Sequence, residues 1–346
     1  MKTVAIVGAG VMGSALSVPL ADNGHAVRIV GTHLDHAIID HAIVCGEHLT
    51  MGRPLPDGVQ FFRIEALEEA LSGADAVIGG VSSFGVDWFA GHALPQIPVD
   101  TPVLSVTKGL AVLPDGTMQP FPHTLAGMCP MGHSLNAIGG PCTSYELVDR
   151  NHSAVVFCGE DMRVLRRLKS LLETDYYHIG LSTDVVGVES AVALKNAYAL
   201  AVSLAIGMSQ KENGEHATLA YNPQAALFGQ SVRETGKLLA LIGGKPENIV
   251  YGAGDLYVTI FGGRTRKLGT LLGQGLSFDE AMERLSGVTL ESVSIATRVV
   301  RAVEILAGRG LADKRDYPLL FHVGRLLAGE TGVEVPWALF EAGINE

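Results

Sequence analysis
The chain begins with short β-branched runs separated by segments in which apolar residues recur at helical spacing. Residues 3–7 read as a strand, 8–13 as a glycine-rich turn, 14–20 as a helix and 26–30 as a second strand. The pattern continues with a helix at 66–71, a buried parallel strand at 76–81, and further strands at 103–107, 136–138 and 153–157. A helix at 162–172 and a strand at 176–179 complete it. Alternation of this kind predicts an α/β fold with an N-terminal Rossmann doubly wound sheet. From residue 183 onward only the helical period remains, at 184–210, 223–242, roughly 264–273, 278–285, 290–308 and 316–328. We therefore expect two domains, a sheet domain over 1–182 and an all-α domain over 183–346.

The turn reads Gly8-Ala9-Gly10-Val11-Met12-Gly13, set between a strand and a helix. In the spacing G-x-G-x-x-G, the first glycine allows a tight turn, the second lets a pyrophosphate approach the backbone, and the third lets helix pack on strand. Any triplet of this kind is weak in a chain with 42 glycines, but its position directly after a strand favours dinucleotide binding. The second strand ends Arg28-Ile29-Val30-Gly31-Thr32-His33, without the acid expected roughly 20 residues on to hold the ribose of NAD. Thr32 and His33 could donate to a 2′-phosphate, which slightly favours NADP over NAD.

The longest apolar run, 185–208, could span a bilayer by length. Glu189, Lys195 and Asn196 near its middle argue against lipid, so we read it as a buried helix of a soluble protein. A lysine placed there must be neutralised, paired or used. Desolvation lowers a lysine's proton affinity toward the range of general acid/base catalysis. The plainer alternatives are a lysine that snorkels outward or pairs with Glu189.

Composition changes the picture only modestly. A length of 346 residues suits about two domains with a large core. A formal net charge of -11 argues against nucleic acid or an anionic membrane as partner, so a phosphorylated substrate must meet locally clustered positive charge. Cys45, Cys129, Cys142 and Cys158 lack metal or redox spacing, so we expect no metal and reduced thiols in a cytoplasmic protein. Met1 leads directly into the first strand, and we expect no signal peptide.

Five segments in order carry a family resemblance. They are the turn at 8–13, Ser105-Val106-Thr107-Lys108-Gly109-Leu110, Gly140-Pro141-Cys142-Thr143-Ser144-Tyr145-Glu146, Gly187-Val188-Glu189 through Ala193-Leu194-Lys195-Asn196, and Gly254-Asp255-Leu256-Tyr257-Val258-Thr259 leading to Gly262-Gly263-Arg264-Thr265-Arg266. Together they resemble the NAD(P)-dependent sn-glycerol-3-phosphate dehydrogenases from residue 3 to about residue 300. The resemblance implies hydride transfer between NAD(P)H and dihydroxyacetone phosphate, supplying sn-glycerol 3-phosphate for phospholipid synthesis. It implies that Lys195 exchanges the proton, that Asp255 holds Lys195 and tunes its charge, and that Lys108 sits beside substrate and cofactor. Arg264 would grip the substrate phosphate, for which a guanidinium fork is suited, with Gly263 and Thr265 adding donors. Asn196, Thr259, Gly140 and Cys142 would line the substrate. Gly8, Gly10, Val11, Met12, Gly13, Thr32, His33, Lys108, Ser144, Arg264 and Glu291 would surround the cofactor. A homodimer is left open.

Each residue also has a structural reading: Lys108 capping a strand end, Asp255 capping a following helix, and Arg264 on a solvated face with Arg266 and Lys267. The chain also departs from the family. Thr265 replaces an asparagine, and Cys142 and Thr143 replace a serine and an aromatic residue. These keep open a related phosphorylated or polar ketone as substrate. Two further alternatives are a non-catalytic NAD(P) sensor, which need not keep Lys195, Asp255 and Arg264 together, and a membrane-associated role for the 185–208 run.

Overall fold
In the computed structural model, which describes residues 1–214, 220–285, 290–330 and 332–340, the β-branched runs assemble into one sheet. Besides a two-residue ribbon of Glu47–His48 with Arg53–Pro54, the strands in chain order are β1 (Thr3–Val7), β2 (Ala26–Val30), β3 (Gln60–Phe62), β4 (Ala76–Gly79), β5 (Val103–Ser105), β6 (Leu110–Val112), β7 (Met118–Pro120), β8 (Leu135–Gly139), β9 (Ser153–Cys158) and β10 (Tyr177–Ser182). The eight-stranded sheet runs β10-β9-β8-β5-β4-β1-β2-β3, and β6 pairs with β7 in a separate ribbon. Pairings within the sheet are parallel except β8 with β9. From β1 the chain builds β2 and β3 on one side, then returns to build β4 and β5 on the other. The order thus reverses at β1 and β4, where an open α/β sheet binds its ligand.

Strand side chains alternate between two cores. Val4, Ile6, Val27, Ile29 and Ile78 enter one, while Ala5, Val7, Val30, Val77 and Val103 enter the other, which is why these strands read as continuous apolar runs. Helices α1 (Val11–Ala15), α2 (Ser17–Asp22), α3 (His36–Cys45), α4 (Leu67–Leu71), α5 (Phe121–Met128), α6 (Ser144–Val148) and α7 (Met162–Leu172) cover them. In α7, Leu165, Leu168, Leu171 and Leu172 form the buried stripe, each contributing about 1.5–3 kcal/mol, and the Asp161 side chain caps its start by accepting from the Arg163 N–H. The helix expected at 14–20 is instead two pieces that meet at Leu16, because Pro19 has no N–H to offer the Ala15 carbonyl.

The chain divides into two compact units, Met1–Lys108 with Pro120–Glu189, and Gly109–Gln119 with Ser190–Glu346. The β6–β7 ribbon belongs to the second unit, where Leu110 and Met118 join a helical core. That core is built from α8 (Val185–Asn213), α9 (Tyr221–Leu241), α10 (Ile249–Thr259), α11 (Gly263–Gly273), α12 (Phe278–Arg284), α13 (Glu291–Gly308) and α14 (Pro318–Leu327). The most apolar 18-residue window of α8 is 83% buried inside the protein, as in a core helix. Pro318 opens α14, and the next two N–H groups, Leu319 and Leu320, donate to buried Glu234 at 2.7 and 2.9 Å. Gln230 and Tyr198 also donate to Glu234, at 2.8 and 3.0 Å, so one carboxyl ties α8, α9 and α14 together.

Candidate active site
In the first unit the turn 8–13 lies at the reversal of strand order. The Gly8 N–H donates to Val30 O at 2.8 Å, and the Gly80 N–H, just past β4, donates to Val7 O at 2.7 Å. Gly8 has φ +102°, in the left-handed region, and a Cβ there would lie 2.9 Å from Gly80 C. Side chains at Gly10 and Gly13 would also press on Gly80, at 3.3 and 3.0 Å. Gly80 thus completes the turn, a partner the sequence showed only as a second glycine in Gly79-Gly80. Helix α1 begins at Val11 with no side-chain cap from Gly10, and its first N–H groups have no intrahelical acceptor. Val11 and Met12 are half-buried against the core. A bare backbone at a helix start on the strand-order switch fits a dinucleotide pyrophosphate.

Past β2, the Thr32 hydroxyl donates to Asp35 Oδ2 at 2.8 Å, and the N–H groups of Thr32 and Ala9 donate to the same oxygen at 2.8 and 3.2 Å. Asp35 escaped sequence reasoning because it stands four residues beyond Gly31, outside the usual position. The carboxylate is turned onto the protein's own loops. His33 is exposed, with its ring 5.9 Å from Trp88, which in turn stacks on His92 at 5.6 Å. On the other side of the switch, half-buried Lys108 donates to Gly140 O at 3.2 Å. Cys142 is half-buried and Ser144 is buried at the first position of α6. These residues belong to one unit, and Glu189 belongs with them. It is fully buried, and burial pushes its carboxyl up to about 8 against the opposing pull of Lys108.

In the second unit, glycines decide the geometry around Lys195. A Cβ on Gly252 of α10 would stand 2.5 Å from Ala191 O, so only glycine lets α10 lie this close to α8. One turn on along each helix, Lys195 Nζ meets Asp255 Oδ1 at 2.5 Å, with side-chain exposures of 13% and 1%. Lys195 therefore pairs with Asp255, rather than with Glu189 as the plainer sequence reading allowed. Asp255 sits inside α10, not at a helix cap, and the Thr259 hydroxyl donates to its backbone carbonyl at 2.6 Å. Gly269 and Gly273 bring α11 against Leu200 and Leu204 of α8 in the same way. Helix α11 begins with Gly263 at φ +83°, exposed Arg264 and half-buried Thr265. Asn196 is half-buried beside Lys195, and half-buried Glu291 opens α13.

One unit thus offers a seat for a dinucleotide and the other a half-buried lysine paired to a buried carboxylate, the combination found in nicotinamide-dependent oxidoreductases. Residues 3–165 match the N-terminus, and 184–336 the C-terminus, of NAD-dependent glycerol-3-phosphate dehydrogenase. The chain belongs to this family and is NAD(P)-dependent. It is 35% identical to the NADP(+)-dependent glycerol-3-phosphate dehydrogenase of Archaeoglobus fulgidus, with 98% of each chain covered. It is 26% identical to the glycerol-3-phosphate dehydrogenase [NAD(P)+] of Shouchella clausii, covering 93% of this chain and 92% of that one. The crystal structure of glycerol-3-phosphate dehydrogenase from Coxiella burnetii shares the fold, with a TM-score of 0.80, 24% identity, and coverage of 100% of this chain and 99% of that one.

Proposed function
We propose that this protein reduces dihydroxyacetone phosphate to sn-glycerol 3-phosphate with NAD(P)H, reversibly and in the cytoplasm, and so supplies the backbone of phospholipids. The Lys195–Asp255 pair is the observation that carries this reading. A ketone becoming an alkoxide needs a proton from a group held beside its oxygen, and an ammonium fixed by a buried carboxylate meets that need. When bound, the nicotinamide supplies the hydride. Lys195 gives its proton to the carbonyl oxygen and takes it back in the oxidation of the alcohol, while Asp255 keeps the Nζ in place. Arg264 binds the phosphate, helped by the α11 N-terminus at Gly263 and by Thr265, and Lys108 is a further substrate contact. Asn196, Thr259, Gly140 and Cys142 line the substrate. Val11, Met12, Ser144, Glu291 and the turn glycines hold the cofactor.

The cofactor preference we propose is NADP. No acid stands at Gly31, Thr32 or His33, and Asp35 is engaged with Ala9 and Thr32. The dehydrogenase from Archaeoglobus fulgidus is named for NADP(+). A homodimer is the assembly we propose to test, by sedimentation.

Loss of reduced-nicotinamide absorbance on adding dihydroxyacetone phosphate to purified protein tests the reaction. Arg264→Ala should raise the KM for dihydroxyacetone phosphate roughly 10- to 100-fold, the usual effect of losing a charge-assisted contact, and hardly change that for unphosphorylated dihydroxyacetone. Equal effects on both ketones would remove the phosphate from the reading.

A further inference from the structure
The loop past β2 carries two side chains suited to the adenosine end of a cofactor, and the fold leaves only one of them free for it. The Thr32 hydroxyl donates to Asp35 Oδ2 at 2.8 Å and accepts from the Leu34 N–H at 3.2 Å, so it is committed to its own loop. His33 is exposed, and no hydrogen bond holds its ring among the described residues. What the ring meets is Trp88, from the segment past β4, with centroids 5.9 Å apart and planes inclined by 52°. Because β2 and β4 flank β1, this contact joins the two loops on either side of the strand-order switch.

Trp88 is itself held in place. It is half-buried and packs on the core that contains Phe89, Leu94 and Ile97. The chain then makes a π-helical turn, Phe89–Ala93, in which the His92 Nδ1–H donates to Trp88 O at 3.1 Å. That bond lays the imidazole over the indole, 8° from parallel with centroids 5.6 Å apart. A half-buried indole backed in this way is a fixed surface, and a histidine resting on it has lost part of its rotamer freedom before any ligand arrives.

NADP differs from NAD by a phosphate on the adenosine 2′-oxygen, which lies at the end of the second strand in a dinucleotide fold. The arginines of the neighbouring strands are engaged elsewhere. Arg28 of β2 donates to Ser72 O at 2.7 Å, and Arg63, just past β3, pairs with Asp40 at 2.7 Å. The acid of this loop, Asp35, accepts from Thr32 and Ala9. The imidazole of His33 is thus the side-chain donor left beside that oxygen, and its bond to a phosphate is charge-assisted.

We propose that His33 reads the 2′-phosphate of NADP and that Trp88, backed by His92, is the positioning residue that holds His33 for it. The proposal rests on the NADP preference put forward above and adds the residues that set it.

The test is the pair of dissociation constants for NADPH and NADH, measured by calorimetry on the full-length enzyme. H33A should weaken NADPH roughly 10- to 100-fold, the effect of one charge-assisted hydrogen bond, and leave NADH within about twofold. W88L fills the apolar space without a ring and should weaken NADPH roughly two- to tenfold, the effect of ordering one side chain on binding, with NADH again unchanged. W88F returns a ring to His33 and should restore most of that loss. H92A should act in the direction of W88L, by less. Should W88L fail to fold by circular dichroism, W88M is read in its place. A preference for NADPH that survives H33A overturns the role of His33. Equal losses for both cofactors in W88L would show that Trp88 meets the adenine they share or only holds the loops, and would overturn its positioning role. A wild-type enzyme that binds NADH as tightly as NADPH overturns the cofactor preference itself, so the two failures are distinct.

Discussion
At the scale of single residues, Lys195 and Asp255 form a pair that is both structural and chemical, and a mutation must separate the two roles. Lys195→Met should lower turnover at least roughly 100-fold, the usual contribution of a general acid, while cofactor affinity stays within about threefold. The same change takes the Lys195 ammonium from Asp255, 1% exposed, and breaking a buried pair on one side costs about 3–5 kcal/mol of stability. The double variant Lys195→Met, Asp255→Leu removes both charges and should regain most of that stability without regaining turnover. Thermal melts and steady-state rates on the three proteins decide the matter. Recovery of turnover in the double variant would show that the pair only holds the fold together.

At the scale of elements, Lys195 meets Asp255 because α10 approaches α8 at Gly252. Gly252→Ala places a methyl 2.5 Å from Ala191 O, a backbone atom that cannot swing aside, so α10 must shift. A shift of about 1 Å in a catalytic group is worth up to roughly 100-fold in rate, so kcat should fall 10- to 100-fold with stability lower by about 1–3 kcal/mol. The control is Gly229→Ala, at an exposed helical glycine with open space around it, where the same change should stabilise by up to about 1 kcal/mol. If Gly252→Ala behaves like Gly229→Ala, the close approach does not set the active geometry. Helix α10 is also where the sequence pattern misleads. Gly252, Gly254 and the β-branched Ile249, Val250, Val258 and Thr259 all disfavour a helix, and only packing on α8 overrides them. Elements that carry their own stripe were legible, as with α7, whose limits the leucine spacing gives to the residue. Lys195, Asp255 and Arg264 were visible through ordered motifs. The contributions of Gly80 and Asp35 were not, because each depends on what the fold places against it.

At the scale of the whole molecule, buried titratable groups set how stability follows pH. Glu189, lifted by burial to about 8, and Glu234, lifted by burial to about 7 in spite of its four donors, hold protons in the folded state that the unfolded chain releases near 4.5. Between those values the folded state binds more protons than the unfolded one, so this contribution is fully present below 4.5 and is lost as pH rises to about 8. His322, lowered by burial to about 4 from 6.5, works the other way and adds stability as pH rises from 4 to 6.5. Carboxyls held low by partners, Asp22 by Arg150 and Asp75 by Lys2, add stability only as pH climbs through the acid range. Two glutamates oppose two histidines below pH 6.5, since burial also lowers His25, and no cited group opposes the glutamates from there to about 8. The midpoint of thermal unfolding should therefore be highest between about pH 5 and 6.5 and fall toward pH 8. Repulsion within a chain of formal net charge -11 acts in the same direction, so the wild-type curve alone does not isolate the cause. The difference between E189Q and wild type does. It should grow from pH 4.5 to about 8 and then level off, reaching on the order of a few kcal/mol in favour of the variant. A difference that is constant across this range would mean that Glu189 ionises alike in the folded and unfolded chains, and that burial does not hold its proton.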